Sequence, residues 1–131
     1  MIIGIGTDLV EIPRIENALA RFGDRFAKRI LVEHELEHYR RHKKPAAWLA
    51  KRFAAKEAFS KAMGTGIRFP VNWLNISVEN APSGKPVLRY SDALAQLMQA
   101  RGISRAHVSL TDELTLAGAF VVLEGDEKNE G

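Results

Sequence analysis

Ile2-Ile3-Gly4-Ile5-Gly6-Thr7-Asp8-Leu9-Val10-Glu11-Ile12 opens a chain of 131 residues and sets the reading of everything after it. Ile3, Ile5, Thr7 and Leu9 alternate against Gly4, Gly6 and Asp8, the period of two that marks a strand. One face of that strand is apolar; the other is built from glycine and one acid. Pro13 then stands where a first helical turn begins. Ile15, Leu19, Phe22 and Phe26 recur at helical spacing beside Arg14, Arg21, Arg25 and Lys28, with Gly23-Asp24 dividing the run into two helices and Asp24 as the cap of the second.

Glu33 to His42 reads as a polar helix with Leu36 and Tyr39 as its apolar contacts, interrupted by Lys43-Lys44-Pro45. Ala46 to Met63 carries the strongest helical pattern, with Leu49, Phe53, Phe59 and Met63 among many alanines, and Gly64-Thr65-Gly66 stops it. Pro70 to Asn72 is a loop. Trp73 to Asn80 alternates Leu74, Ile76 and Val78 against polar residues and predicts a half-buried strand. Pro82-Ser83-Gly84-Lys85 turns it into a second, Pro86 to Tyr90. Ser91 caps a helix through Ala100 with Leu94, Leu97 and Met98 inward, ended by Gly102. His107 to Asp112 and Thr115 to Leu123 close the chain as paired strands. One strand, several helices, then strands with one helix predict an α+β fold, not a regular βαβ succession.

Composition narrows the function classes. The chain is 46% hydrophobic and has no cysteine, which excludes a disulfide scaffold, a thiol nucleophile and any cysteine-ligated metal. No apolar run is long enough to span a bilayer, and the first residues lack the basic flank of a signal peptide, so a soluble cytoplasmic protein is expected. The net charge of +3 hides an asymmetry: Glu124, Asp126, Glu127 and Glu130 face only Lys128 at the end, leaving +6 on the body. A body so basic calls for an anionic partner.

Judged singly, the candidate residues are ambiguous. Asp8 alone reads as a turn or cap residue, and Gly4-x-Gly6 lacks the third glycine of a dinucleotide fold. Glu57 and Lys61, four apart, form either a solvated pair or, with Lys51, Arg52 and Lys56 nearby and Gly64-Thr65-Gly66 following, a phosphate site. His34, His38 and His42 share a helix face and read as a solvated stripe, since nothing identifiable completes a metal site.

Taken together, two long motifs carry more. Gly4-Ile5-Gly6-Thr7-Asp8-Leu9-Val10-Glu11-Ile12-Pro13-Arg14-Ile15 and Arg52-Phe53-Ala54-Ala55-Lys56-Glu57-Ala58-Phe59-Ser60-Lys61-Ala62, followed by Gly64-Thr65-Gly66, closely resemble the holo-[acyl-carrier-protein] synthase family, the small bacterial type of 4′-phosphopantetheinyl transferase. The resemblance runs to the final strand. It implies one transferase domain over residues 1–124 and a mainly antiparallel sheet packed with helices; it leaves out the acidic tail over 125–131, whose composition predicts disorder. It also implies transfer of the phosphopantetheine arm of coenzyme A to a serine of apo acyl carrier protein, releasing adenosine 3′,5′-bisphosphate, in support of fatty acid biosynthesis.

By motif match, Asp8 and Glu57 hold Mg²⁺ and Lys61 reaches the same phosphates. The base for the serine proton is Glu57, or a metal-bound water beside it, with Asp8 second. Lys44, Arg52 and His107 resemble positions at the nucleotide end of coenzyme A; Gly64, Thr65 and Gly66 line its pocket, with Pro86 near. Arg14, Arg21 and Arg25 match the helix that docks the acidic carrier protein. The resemblance further implies a homotrimer with active sites between subunits. One departure is plain: many relatives carry histidine where this chain has Asp112, so position 112 receives no role. A small basic nucleic-acid-binding protein is the rival reading, without a helix-turn-helix, zinc or aromatic ribonucleoprotein signature and with Asp8 and Glu57 as liabilities beside a phosphate backbone. An inactive coenzyme A-binding subunit is the third; the intact Asp8, Glu57 and Lys61 argue against it.

Overall fold

The computed structural model describes residues 1–127. Strand β1 (Ile2–Glu11) leads into α1 (Ile12–Phe22), α2 (Asp24–Ile30), α3 (Glu33–Arg41) and the long α4 (Pro45–Met63). The hairpin β2 (Ile76–Asn80) and β3 (Pro86–Tyr90) follows, then α5 (Asp92–Ala100) and the closing hairpin β4 (Arg105–Asp112) and β5 (Leu116–Glu124). β5 lies between β1 and β4, all antiparallel, and β2–β3 form a separate two-stranded sheet. The expected α+β class holds, and both sheets are antiparallel.

The glycines of β1 explain how the layers meet. Gly4 and Gly6 face α4 so closely that a β-carbon on either would overlap the carbonyl oxygen of Ala62 or Ala58. Small residues answer on the helix: Ala50, Ala54, Ala55 and Ala58 are wholly buried. Backbone therefore lies on backbone, and α4 becomes the central element, wrapped by β1, β5 and the shorter helices. The other face of β1 points out, with Ile5 59% and Leu9 72% exposed, and Phe120 of β5 joins it at 46%.

The ends of α4 are closed by chemistry legible in the sequence. Pro45 begins it, Gly64 ends it in the left-handed conformation (φ 75°), and Arg101 Nη1 donates to the Met63 carbonyl at 2.7 Å. Ser91 caps α5 as expected, its Oγ accepting from Leu94 N–H at 3.3 Å.

Three expectations need correction. Asp24 is the first residue of α2 and not its cap; its carboxylate accepts from Arg40 instead. The extended segment expected from Trp73 begins only at Ile76, because residues 72–75 form a turn in which Asn75 N–H donates to Asn72 Oδ1 and Leu74 is 52% exposed. Ser77 is buried along with Ile76 and Val78, so the first part of β2 is covered on both faces, while Glu79 is half-buried and Asn80 exposed. Part of the acidic tail, 128–131, lies outside the described residues. Within the described part, Gly125 N–H donates to the Met1 carbonyl at 2.8 Å and Asp126 approaches Arg105 at 3.6 Å. Among the described residues no helix is long and apolar enough to cross a membrane.

Candidate active site

Asp8 comes from the middle of β1, Glu57 and Lys61 from successive turns of α4. The glycine contact that seats β1 on α4 is also what brings them together. Lys61 Nζ donates to Asp8 Oδ1 at 2.9 Å and to the Thr7 carbonyl at 3.0 Å. Asp8 and Glu57 line one cleft of about 320 Å³ together with Arg14, Phe26 and Phe53. Lys61 thus pairs across to the strand, not with Glu57 along its own helix.

Burial raises the Glu57 carboxyl above its ordinary range. A hydrogen bond from the Trp73 indole opposes this, the nearby Asp8 charge adds to it, and Lys61 offsets part of it. Trp73 Nε1 donates to Glu57 Oε1 at 3.3 Å, and its ring stacks on Phe53 with centroids 6.4 Å apart. Two carboxylates on one cleft, with a lysine beside them, are a donor set of hard oxygens. Such a set suits Mg²⁺, which takes one or two protein carboxylates and completes its shell with phosphate oxygens and water.

The four cations expected around Glu57 do not converge on it. Lys51 pairs with Asp112 at 3.4 Å, which gives position 112 a structural partner. Arg52 turns the other way, its guanidinium 4.1 Å over the Trp48 ring and donating to Asn80 Oδ1 at 2.9 Å. Lys56 is wholly buried in the core, donating to Glu35 Oε1 at 2.7 Å, to the Trp73 carbonyl at 2.8 Å and to the Ile30 carbonyl. Glu35 also accepts from the N–H groups of Val32 and Val78. Helical rotation separates these side chains although their numbers are close.

The residues assigned to the nucleotide end lie elsewhere in the chain. Arg52 lines a second cleft of about 360 Å³ with His34, His38 and Asn80, and its buried Nε has no hydrogen-bond partner. Pro86 stands opposite Asn80 on the β2–β3 ladder and so near this cleft. Lys44 borders a third cleft with Glu16, Asp112 and Glu113. His107 is on β4, where its Nε2 pairs with Glu124. Gly64, Thr65 and Gly66 follow directly on the Lys61 turn, with Gly64 and Gly66 at positive φ. None of Lys44, Arg52 and His107 shares the Asp8–Glu57 cleft. Arg14 does, while Arg21 is exposed on α1 and Arg25 on α2, on either side of the division at Gly23 that the sequence predicts.

The histidine stripe has partners. His34 faces Glu79 at 3.4 Å, and His38 and His42 pack against Trp48. Trp73 and the Lys56–Glu35 pair were not legible beforehand. Trp73 reads as the start of a strand, and nothing in its spacing ties it to Glu57.

Comparison with known proteins places the chain in a family. Residues 4–117 match the family profile described as the 4′-phosphopantetheinyl transferase superfamily. The holo-[acyl-carrier-protein] synthase of Nitrosomonas europaea is 54% identical over 124 residues, covering 95% of this chain and 99% of the relative. The crystal structure of the same enzyme from Neisseria meningitidis superposes with a TM-score of 0.92 at 48% identity, covering 95% of this chain and 99% of that one. That from Bacillus anthracis, solved in complex with coenzyme A (3′,5′-ADP), gives a TM-score of 0.80 at 40% identity over 96% of this chain and 99% of that one. With two long motifs, the whole fold and near-complete coverage in agreement, the chain belongs to the holo-[acyl-carrier-protein] synthases of the 4′-phosphopantetheinyl transferase superfamily.

Proposed function

We propose that this chain transfers the 4′-phosphopantetheine arm of coenzyme A to a serine hydroxyl of apo acyl carrier protein with the help of Mg²⁺. It releases adenosine 3′,5′-bisphosphate and serves fatty acid biosynthesis in the cytoplasm. The observation that carries this reading is that Asp8 and Glu57, distant in sequence, line one cleft while Lys61 is hydrogen-bonded to Asp8. The Bacillus anthracis relative bound to coenzyme A supports the choice of substrate.

In this reading Asp8 and Glu57 hold the ion. When bound, it neutralises charge that grows on the phosphate oxygens as the bond to the leaving bisphosphate breaks. Lys61 is held at the cleft by Asp8 and the Thr7 carbonyl and presents its ammonium to the same phosphates. The serine oxygen forms the new bond to phosphorus, the bond to the leaving phosphate oxygen breaks, and the serine proton passes to Glu57. Arg14, Arg21 and Arg25 offer a positive surface beside the cleft for an acidic carrier.

The protein works as a homotrimer in this reading. The exposed face of Ile5, Leu9 and Phe120 is the kind of apolar surface that a subunit interface covers. Lys44, Arg52, Pro86 and His107, which stand apart from Asp8 and Glu57 in one protomer, then reach coenzyme A from a neighbouring subunit. The test is direct: incubate the protein with coenzyme A, Mg²⁺ and apo acyl carrier protein, then weigh the carrier by mass spectrometry. A phosphopantetheine adduct is expected, and a carrier of unchanged mass sinks the proposal.

A further inference from the structure

Glu57 carries a long side chain on the middle of α4, and its neighbours do little to fix it. Asp8 repels it, and Lys61 is engaged with Asp8 and the Thr7 carbonyl. Among the described residues the Trp73 indole makes the only hydrogen bond to its carboxylate, Nε1 to Oε1 at 3.3 Å.

Trp73 itself is fixed twice. Its ring stacks on Phe53, one turn before Glu57 on α4, with an interplanar angle of 20°. Its carbonyl accepts from the buried Lys56 ammonium at 2.8 Å, and that ammonium is anchored in turn by Glu35 and the Ile30 carbonyl. Lys56 and Glu57 are adjacent residues. Consecutive side chains of one helix therefore grip the same tryptophan, one at its backbone and one at its indole. The N–H is thereby held in register with the carboxylate that it bonds. An indole N–H donates only and does not titrate, so it orients the carboxylate while leaving its negative charge for a cation.

We propose that Trp73 is a positioning residue for Glu57, holding one carboxylate oxygen so that the group presents a fixed face to the ion in the Asp8 cleft. This rests on the reading of Glu57 as a divalent-ion ligand. A tryptophan locked to the ligand's own helix forms part of the site although it touches neither ion nor substrate.

Trp73→Phe keeps the stack on Phe53 and removes only the donor. Calorimetric titration with Mg²⁺ in the presence of coenzyme A is expected to show binding weakened about tenfold. The melting temperature without ligand should change little. Mg²⁺ binding as tight as in the unsubstituted protein overturns the proposal. A second arm leaves Trp73 in place. The chain has 2 tryptophans, so in Trp48→Phe the indole of Trp73 is the sole emitter. Its emission is expected to change saturably as Mg²⁺ is added, because the ion redraws charge from the carboxylate that the indole holds. That change should vanish in the double variant Trp48→Phe/Glu57→Gln. Emission indifferent to Mg²⁺, while calorimetry records binding, overturns the proposal as well. Failure of the underlying reading looks different: Glu57→Gln alone would bind Mg²⁺ as tightly as the unsubstituted protein.

Discussion

Glu57 shows at the scale of one residue how a site and a fold compete. An unfolded glutamate titrates near 4.5, and burial places the folded value higher. Between the two values the native state holds the extra proton, so stability falls as pH rises through that window. At neutral pH the ionised carboxylate therefore weighs against the fold. Glu57→Gln keeps an oxygen for the Trp73 indole and removes the charge. It is expected to melt at a higher temperature than the unsubstituted protein at neutral pH, with the gain fading below pH 4.5, where both forms are neutral. The same variant should lose turnover by several orders of magnitude in the mass-spectrometric assay. Thermal unfolding at the two pH values decides the first point; a lower melting temperature at neutral pH contradicts it.

At the scale of elements, two contacts seat α4. The first is the glycine face of β1. In Gly6→Ala the new β-carbon meets the Ala58 carbonyl and the Ala62 N–H, both backbone, so helix and strand must part. A loss of about 3 kcal/mol or more is expected, read as a lowered urea midpoint. The second is the buried Lys56–Glu35 pair, which ties α4 to α3, to the end of α2 and, through Val78, to β2. Burial pulls the Lys56 ammonium below its ordinary value while Glu35 holds it up. Lys56→Met leaves Glu35 charged without its partner and should cost about 3–5 kcal/mol. Adding Glu35→Gln should recover part of that loss, since no bare charge remains. A double variant as unstable as the sum of its single losses contradicts the pairing.

At the scale of the whole molecule, the face that β1 turns outward leaves large apolar side chains exposed. Ile5, Leu9 and Phe120 lie on it, and His107 alternates onto the same side of β4, in register with Val122 of β5. Phe120→Asp places a charge where a neighbouring subunit is proposed to pack. Light scattering is expected to show a trimer for the unsubstituted protein and a monomer for the variant, with transferase activity lost together with the assembly. A monomeric variant of full activity would show that Lys44, Arg52 and His107 are not needed from a neighbour.

Much of this was legible in the chain. Periodicity and turn chemistry marked β1, α4, the β2–β3 turn and the Ser91 cap, because each rests on interactions within a few residues. The two motifs carried Asp8, Glu57 and Lys61 as a set. Only the tertiary structure decided which way consecutive cations point. Lys51, Arg52 and Lys56 are near neighbours in number, yet helical rotation sends one to Asp112, one to Trp48 and one into the core. It also decided that the glycine face of β1 turns inward and the isoleucine face outward, which alternation alone leaves symmetric. Trp73 belongs with these: its link to Glu57 depends on a turn packing against a helix 16 residues away in sequence, and no local rule encodes that distance.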